Sequence, residues 1–160
     1  MAVIVRKLLH IGALPSELRA LLEREGILYL AEYVPVTRRF TGSIPGYRSS
    51  HSVAGYTGAL VLTDHRVLAT LSTMPKLAGR SIDQEWTAQQ SGAVKADLSP
   101  TGLTLDMDLA DVDPRCHGRL SLHYKTPIGD DVLMRLTRRS LAFDVPVEYV
   151  LRAIGIPYRP

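Results

Sequence analysis

At 160 residues, with 46% apolar and 22% charged residues, the chain has the length and composition of one globular domain and not of a disordered polypeptide. A formal net charge of +3, from 19 Lys plus Arg against 16 Asp plus Glu, argues against nucleic-acid binding in the absence of a clustered basic face, and 6% aromatic residues leave few rings for stacking bases. No window reaches the ~18 to 20 apolar residues of a membrane-spanning helix, and the lone Cys116 has no internal disulfide partner, so the expectation is a cytoplasmic protein that is not integral to a membrane.

The chain opens Met1-Ala-Val-Ile-Val-Arg-Lys-Leu-Leu-His10, with two bases inside a short apolar run, an order unlike that of an export signal. Between Pro15 and Gly26, Leu14, Leu18, Leu21 and Leu22 recur at helical spacing while Glu17, Arg19, Glu23 and Arg24 fill the other side. This predicts an amphipathic helix, with Pro15 suited to its first position and Gly26 to the left-handed residue past its end. Ile27 to Val34, rich in β-branched, aromatic and aliphatic residues, predicts a first strand that stops at Pro35. Thr37 to His51 has the Gly, Ser and Pro density of a long surface loop, a kind of segment in which function is often found.

Ala59–Leu62 and Val67–Leu71 flank Thr63-Asp64-His65-Arg66 and predict a hairpin closed by short polar residues. Pro75 to Ser81 is a connection, and Ile82 to Gln90, which holds the only tryptophan, Trp86, is assigned to a further strand. Val94–Leu98, the turn Ser99-Pro-Thr-Gly102, and Leu103-Thr-Leu-Asp-Met-Asp-Leu109 form a meander, the last run alternating apolar and polar at every position. Arg119-Leu-Ser-Leu-His-Tyr-Lys125 repeats the alternation. Antiparallel pairing of these two runs sets Asp106 and Asp108 against Arg119, His123 and Lys125, each pairing worth ~0.2 to 1 kcal/mol.

Asp130 to Leu136 reads as a short capped helix or a last strand, with Val132, Leu133 and Leu136 favouring the helix. Asp144 or Val145 opens a closing helix with Pro146 in its first turn and an apolar stripe of Val147, Val150, Leu151 and Ile154 before Gly155. No repeat or low-complexity linker divides the chain, so residues 1–160 are expected to form a single α+β domain built on an antiparallel sheet.

Candidate chemistry is sparse. His10, His51, His65, His117 and His123 lack the short paired spacings of metal sites. Cys116 and His117 are neighbours in an extended segment, point to opposite sides and have no third partner. Asp106, Asp108, Asp111 and Asp113 lack the Gly and distal Glu of a calcium loop, and the glycines at 42, 46, 55 and 58 match no dinucleotide or phosphate loop. No catalytic residue, metal or cofactor is expected. What remains is Arg38, Arg39 and Arg48, with His51, whose guanidiniums, if they converge, suit a phosphate or an anionic lipid surface; the plainer alternative is a solvated basic rim, and Arg138 with Arg139 calls for the same caution.

The hairpin Gly58-Ala-Leu-Val-Leu-Thr-Asp-His-Arg-Val-Leu-Ala69 resembles the Gly-x-Leu-x-Leu-Thr-Asp-x-Arg-Leu pattern of bacterial pleckstrin-homology-like domains, including the GRAM-type modules. The resemblance implies a bent, partly open antiparallel barrel capped by the C-terminal helix, with the N-terminal helix as an addition. For lipid-binding members it implies a basic loop between the first two strands, here Arg38, Arg39 and Arg48, although the lysine-rich loop of the best lipid binders is absent. Other members serve as interaction or self-assembly modules. The leading expectation is therefore a non-catalytic module that docks a protein partner or its own copies through a strand edge or helix face. An anionic lipid or phosphate-headgroup binder, peripheral at the membrane, is second. An unrecognised enzyme using His123 or Asp108 is third, and a small-molecule pocket inside the barrel is last.

Overall fold

The computed structural model describes residues 13–71 and 81–155; the opening Met1–His10 run and most of the Pro75–Ser81 connection lie outside these. Helix α1 (Ser16–Glu25) follows Pro15 and ends at Gly26, which takes a φ of 93° that glycine adopts without steric cost. Strands β1 (Ile27–Ile44) and β2 (Tyr47–Thr63) then form one long hairpin that runs through the segment expected to be a loop. That expectation is corrected for a simple reason. Val34, Val36, Arg38 and Phe40 are buried while Pro35, Arg39 and Thr41 are exposed, the period of a half-buried strand, and only Pro45-Gly46 turns the chain.

Nor does Pro35 end β1. Its partner on β2 is Thr57, but the ladder on the other side begins only at Val36, so the proline sits where a single edge is paired. Just before it the register with β2 slips between Ala31 and Val34, and Tyr33 takes a left-handed φ of 56° in that bulge. The bulge bends the long strand and lets it serve two halves of the sheet.

Strands β3 (Arg66–Leu71) and β4 (Ser81–Glu85) continue the meander from β2, while β5 (Val94–Ser99), β6 (Gly102–Asp108) and β7 (His117–Lys125) form a second one whose last strand pairs with β1. With β8 (Ser140–Phe143) added beside β5, the order is β4-β3-β2-β1-β7-β6-β5-β8, all antiparallel, in a nearly closed barrel-like sheet. Asp108 faces Arg119 in register and Asp106 takes an ion pair from Arg119 at 3.0 Å, as the charge pattern predicts; His123 faces Thr104 and Lys125 faces Gly102 instead.

Three short helices complete the described residues: α2 (Leu109–Val112), α3 (Asp130–Leu133) and α4 (Val147–Ile154). The predicted 130–136 helix is thus limited to its first four residues, and the closing helix starts after Pro146, not at Asp144. The Trp86 segment is strand only as far as Glu85; Trp86 turns into the core and donates Nε1–H to the Thr63 carbonyl at 2.8 Å.

The main core lies inside the curved sheet, where Leu60, Leu62, Leu105, Met107, Leu120, Leu122 and Tyr124 meet Tyr149, Val150, Ala153 and Ile154 of α4. A smaller cluster of Leu14, Leu22, Ala59, Val61 and Leu68 lies under α1 on the opposite face of β2 and β3. Both faces of β2 are therefore covered from Gly58 to Thr63, which is why that stretch reads as an unbroken apolar run. The turn between β2 and β3 is tied to α1 by side chains. Thr63 Oγ1 accepts from the His65 and Arg66 amides at 3.1 and 3.0 Å and donates to Glu25 at 3.1 Å. Arg66 pairs with the same Glu25 and, at 3.0 Å, with Asp83 on β4. The Thr-Asp-x-Arg residues that carry the resemblance hold α1, the hairpin and β4 together.

Candidate anion-binding face

Arg38 and Arg39 are successive residues of a strand, so their side chains leave on opposite faces of the sheet. Arg39 is exposed on the outer face, whereas Arg38 lies on the inner face and is only 4% exposed. Arg48 is exposed and pairs with Ser43, four residues along β1 from Arg39, a separation of about 13 Å at ~3.3 Å per strand residue. The three arginines do not meet at one point.

Arg39 instead joins residues that came from other strands. Arg39 and Thr41 of β1, His51 of β2, Arg119 and Ser121 of β7 and Asp106 of β6 line a shallow groove of about 470 Å³ on the outer face. The register makes this meeting necessary, since Arg39 faces Ser121 and Thr41 faces Arg119. At the groove's end Gly42 faces Gly118, with φ of 145° and 99°; a Cβ on either would lie 2.0 Å from a carbonyl oxygen of the opposite strand. Only glycine allows the two backbones to approach this closely. His117 faces Ser43 and His123 faces Thr37, which extends the basic side chains along β7.

The electrostatics are one-sided. Between Glu32 and Asp64 the sequence holds no acidic residue, yet it holds Arg38, Arg39, Arg48 and His51. Asp106 is the one acid in the groove lining, and its pair with Arg119 joins side chains 46% and 71% exposed, a contact worth ~0.2 to 1 kcal/mol in water. Arg39 and Arg48 form no ion pair among the described residues. Guanidinium groups on such a face offer charge-assisted hydrogen-bond donors of the kind that suit oxyanions.

On the inner face the environment of Arg38 is unusual. Its Nη2 donates to Ser52 Oγ at 3.2 Å, while Nε and Nη1 are buried with no partner among the described residues. Beside it, β2 pairs with β3 only from Gly58 to Leu62, so among the described residues no strand covers the outer edge of β2 over 47–56.

The other candidates serve the fold. Cys116 is buried, and burial pushes its thiol up, while His117 is exposed, so the two do not form a nucleophile and base. Asp108 caps α2 by accepting from the Ala110 amide at 3.1 Å, and Asp113 takes two bonds from the Arg115 side chain and one from its amide. Those bonds hold the Asp113 carboxyl down at about 2. Arg138 is half-buried and Arg139 exposed, so that pair does not present a joint surface either. The residues that sequence reasoning missed at the outer face are Thr41, Arg119 and Ser121. The acid-free interval between Glu32 and Asp64 points to the part of the hairpin that holds Thr41, whereas Arg119 and Ser121 of β7 carry no such signal.

No protein-family model matches the chain, and no curated protein or solved structure is significantly similar to it.

Proposed function

We propose that this chain is a non-catalytic interaction module of pleckstrin-homology-like architecture whose β1–β2 hairpin docks an acidic segment of a partner protein. The architecture is supported by two meanders joined through β1 and β7, a sheet left open between β4 and β8, and α4 packed on the core. The Thr63–Arg66 turn adds to this support. Fold alone does not select a function. The observation that carries the reading is the hairpin itself, which has bases on its outer face, no acid after Glu32 and, among the described residues, an uncovered strand edge.

An extended peptide satisfies that edge with main-chain hydrogen bonds, which a lipid headgroup does not offer in series. A second copy fits less well, because pairing two such edges sets Arg48 and His51 of each against bases of the other. The test measures binding of poly-L-glutamate and sedimentation with phosphatidylserine-containing vesicles, each at low and high salt, for the native protein and for Arg39→Glu combined with Arg48→Glu. Salt-sensitive binding to polyglutamate that the double variant loses supports the reading. Vesicle binding lost by the same variant replaces it with the lipid reading, and failure to bind either removes both.

A further inference from the structure

We infer that Arg38 is the specificity anchor of the docking edge: a strand added beside β2 places a carboxylate side chain against the buried Arg38 guanidinium. The inference rests on the acidic-segment reading above and names which residue of that segment is read, and by what.

An arginine cannot relieve burial by losing its proton, so a buried guanidinium needs an anion. No acidic side chain supplies it. All 16 acidic residues fall within 13–71 and 81–155, and none pairs with Arg38. Its Nε and Nη1 donors, buried and without partners among the described residues, are held ready for acceptors that those residues do not provide.

Geometry gives the direction from which the acceptor comes. Arg38 sits opposite Ala54, and its guanidinium crosses to Ser52 Oγ on β2, toward the side that no described strand covers. Ser52 and Ala54 are small and half-buried although they lie on the same face as Arg38, so the edge beside the guanidinium is partly open to solvent at these two positions. Strands stack about 4.8 Å apart, which puts an added strand roughly 10 Å from β1, within the combined reach of an Arg and a Glu side chain. Side chains of that strand alternate faces, so acids on one face meet Arg38 and acids on the other meet His51 and the outer groove. The strand is therefore expected to be acidic at inward positions, a requirement that salt attraction to the outer face alone does not impose.

The probe is a capped peptide of alternating Val and Glu, compared with its Val-Gln counterpart. Binding is read by fluorescence anisotropy, and the site by amide hydrogen exchange over 47–56. The Val-Glu peptide should bind, slow exchange across those β2 amides, and bind at least about tenfold more tightly than Val-Gln, as loss of a charge-assisted bond implies. Arg38→Met should weaken it by a similar factor while melting at the same temperature as the native protein or higher, because the variant removes an uncompensated charge. Arg38→Lys, which keeps charge but not the planar fork, should fall between the two. An Arg38→Met variant that binds within about twofold of native while Arg39→Glu with Arg48→Glu loses binding refutes the anchor and leaves the docking reading in place. An Arg38→Met variant that melts lower or fails to fold makes Arg38 a structural cation and overturns the inference, as does binding without protection of 47–56.

Discussion

Glu25, the last residue of α1, closes the knot at the Thr63–Arg66 turn, and truncating it to Ala measures how much that knot stabilises the fold. Its carboxylate accepts from Thr63 Oγ1 at 3.1 Å and Arg66 Nε at 3.0 Å and also pairs with Arg66 Nη2. The Glu25 and Arg66 side chains are 13% and 23% exposed, so the pair is shielded from water without being fully desolvated. Hydrogen bonds to charged groups contribute ~1.5 to 3 kcal/mol, and removing one partner of a fully buried pair costs ~3 to 5 kcal/mol. Asp83, 3.0 Å from Arg66 Nη1, keeps partial compensation after truncation. Thr63, fully buried, is left with its weaker contact to the Arg66 carbonyl at 3.4 Å.

The balance is a loss of about 2 to 3 kcal/mol for Glu25→Ala. At ~2 to 4 °C per kcal/mol for a domain of this size, the melting temperature should fall by about 5 to 10 °C. Glu25→Gln, which keeps one acceptor and the side-chain shape, should fall about half as far. Thermal and urea melts followed by circular dichroism give both numbers, and an unchanged urea slope identifies the effect as one of stability. A Glu25→Ala loss under about 0.5 kcal/mol would show that the turn closes without the carboxylate, and that the Thr-Asp-x-Arg residues do not tie α1 to the sheet.

Two further outcomes test the packing. Leu22 is fully buried between α1 and the β2–β3 face, so Leu22→Ala should cost about 2 to 5 kcal/mol in chemical denaturation; a loss under about 1 kcal/mol would mean that α1 does not rest on that face. Tyr124 and Tyr149 are buried, and burial pushes both hydroxyls above the usual tyrosine range. The native state thus holds them neutral where the unfolded chain would ionise them. Their contribution is fully present below pH ~10 and is lost as pH rises above it, so denaturation midpoints should fall in alkali while Tyr124→Phe, with its Thr70 bond removed, falls less steeply. Absorbance titration near 295 nm should show these two rings ionising together with unfolding; ionisation in the folded state would refute the assignment.

Much of the fold was legible from local rules. The α1 boundaries follow from leucine spacing between Pro15 and Gly26, and β6 and β7 from strict alternation, because each of these elements buries one face against one layer. The hairpin over 37–51 was misread because Gly, Ser and Pro signal loops only where no partner strand pairs with them. Here Phe40 and Ile44 are inward-facing residues whose period of two is diluted by bulges at Gly42 and at Ala31–Val34.

The candidate site divides along the same line. That bases crowd the hairpin follows from composition alone, since no acid lies between Glu32 and Asp64. That Arg38 and Arg39 lie on opposite faces follows once the segment is known to be a strand. Which partners they meet is decided only by tertiary structure. The long-range pairing of β1 with β7 brings Arg119 and Ser121 beside Arg39, and the end of β3 pairing at Gly58 leaves the edge next to Arg38 uncovered among the described residues. Local propensity reports how a segment would fold beside a suitable partner. Charge sums, burial and free edges depend on which strands become neighbours, and that choice belongs to the whole chain.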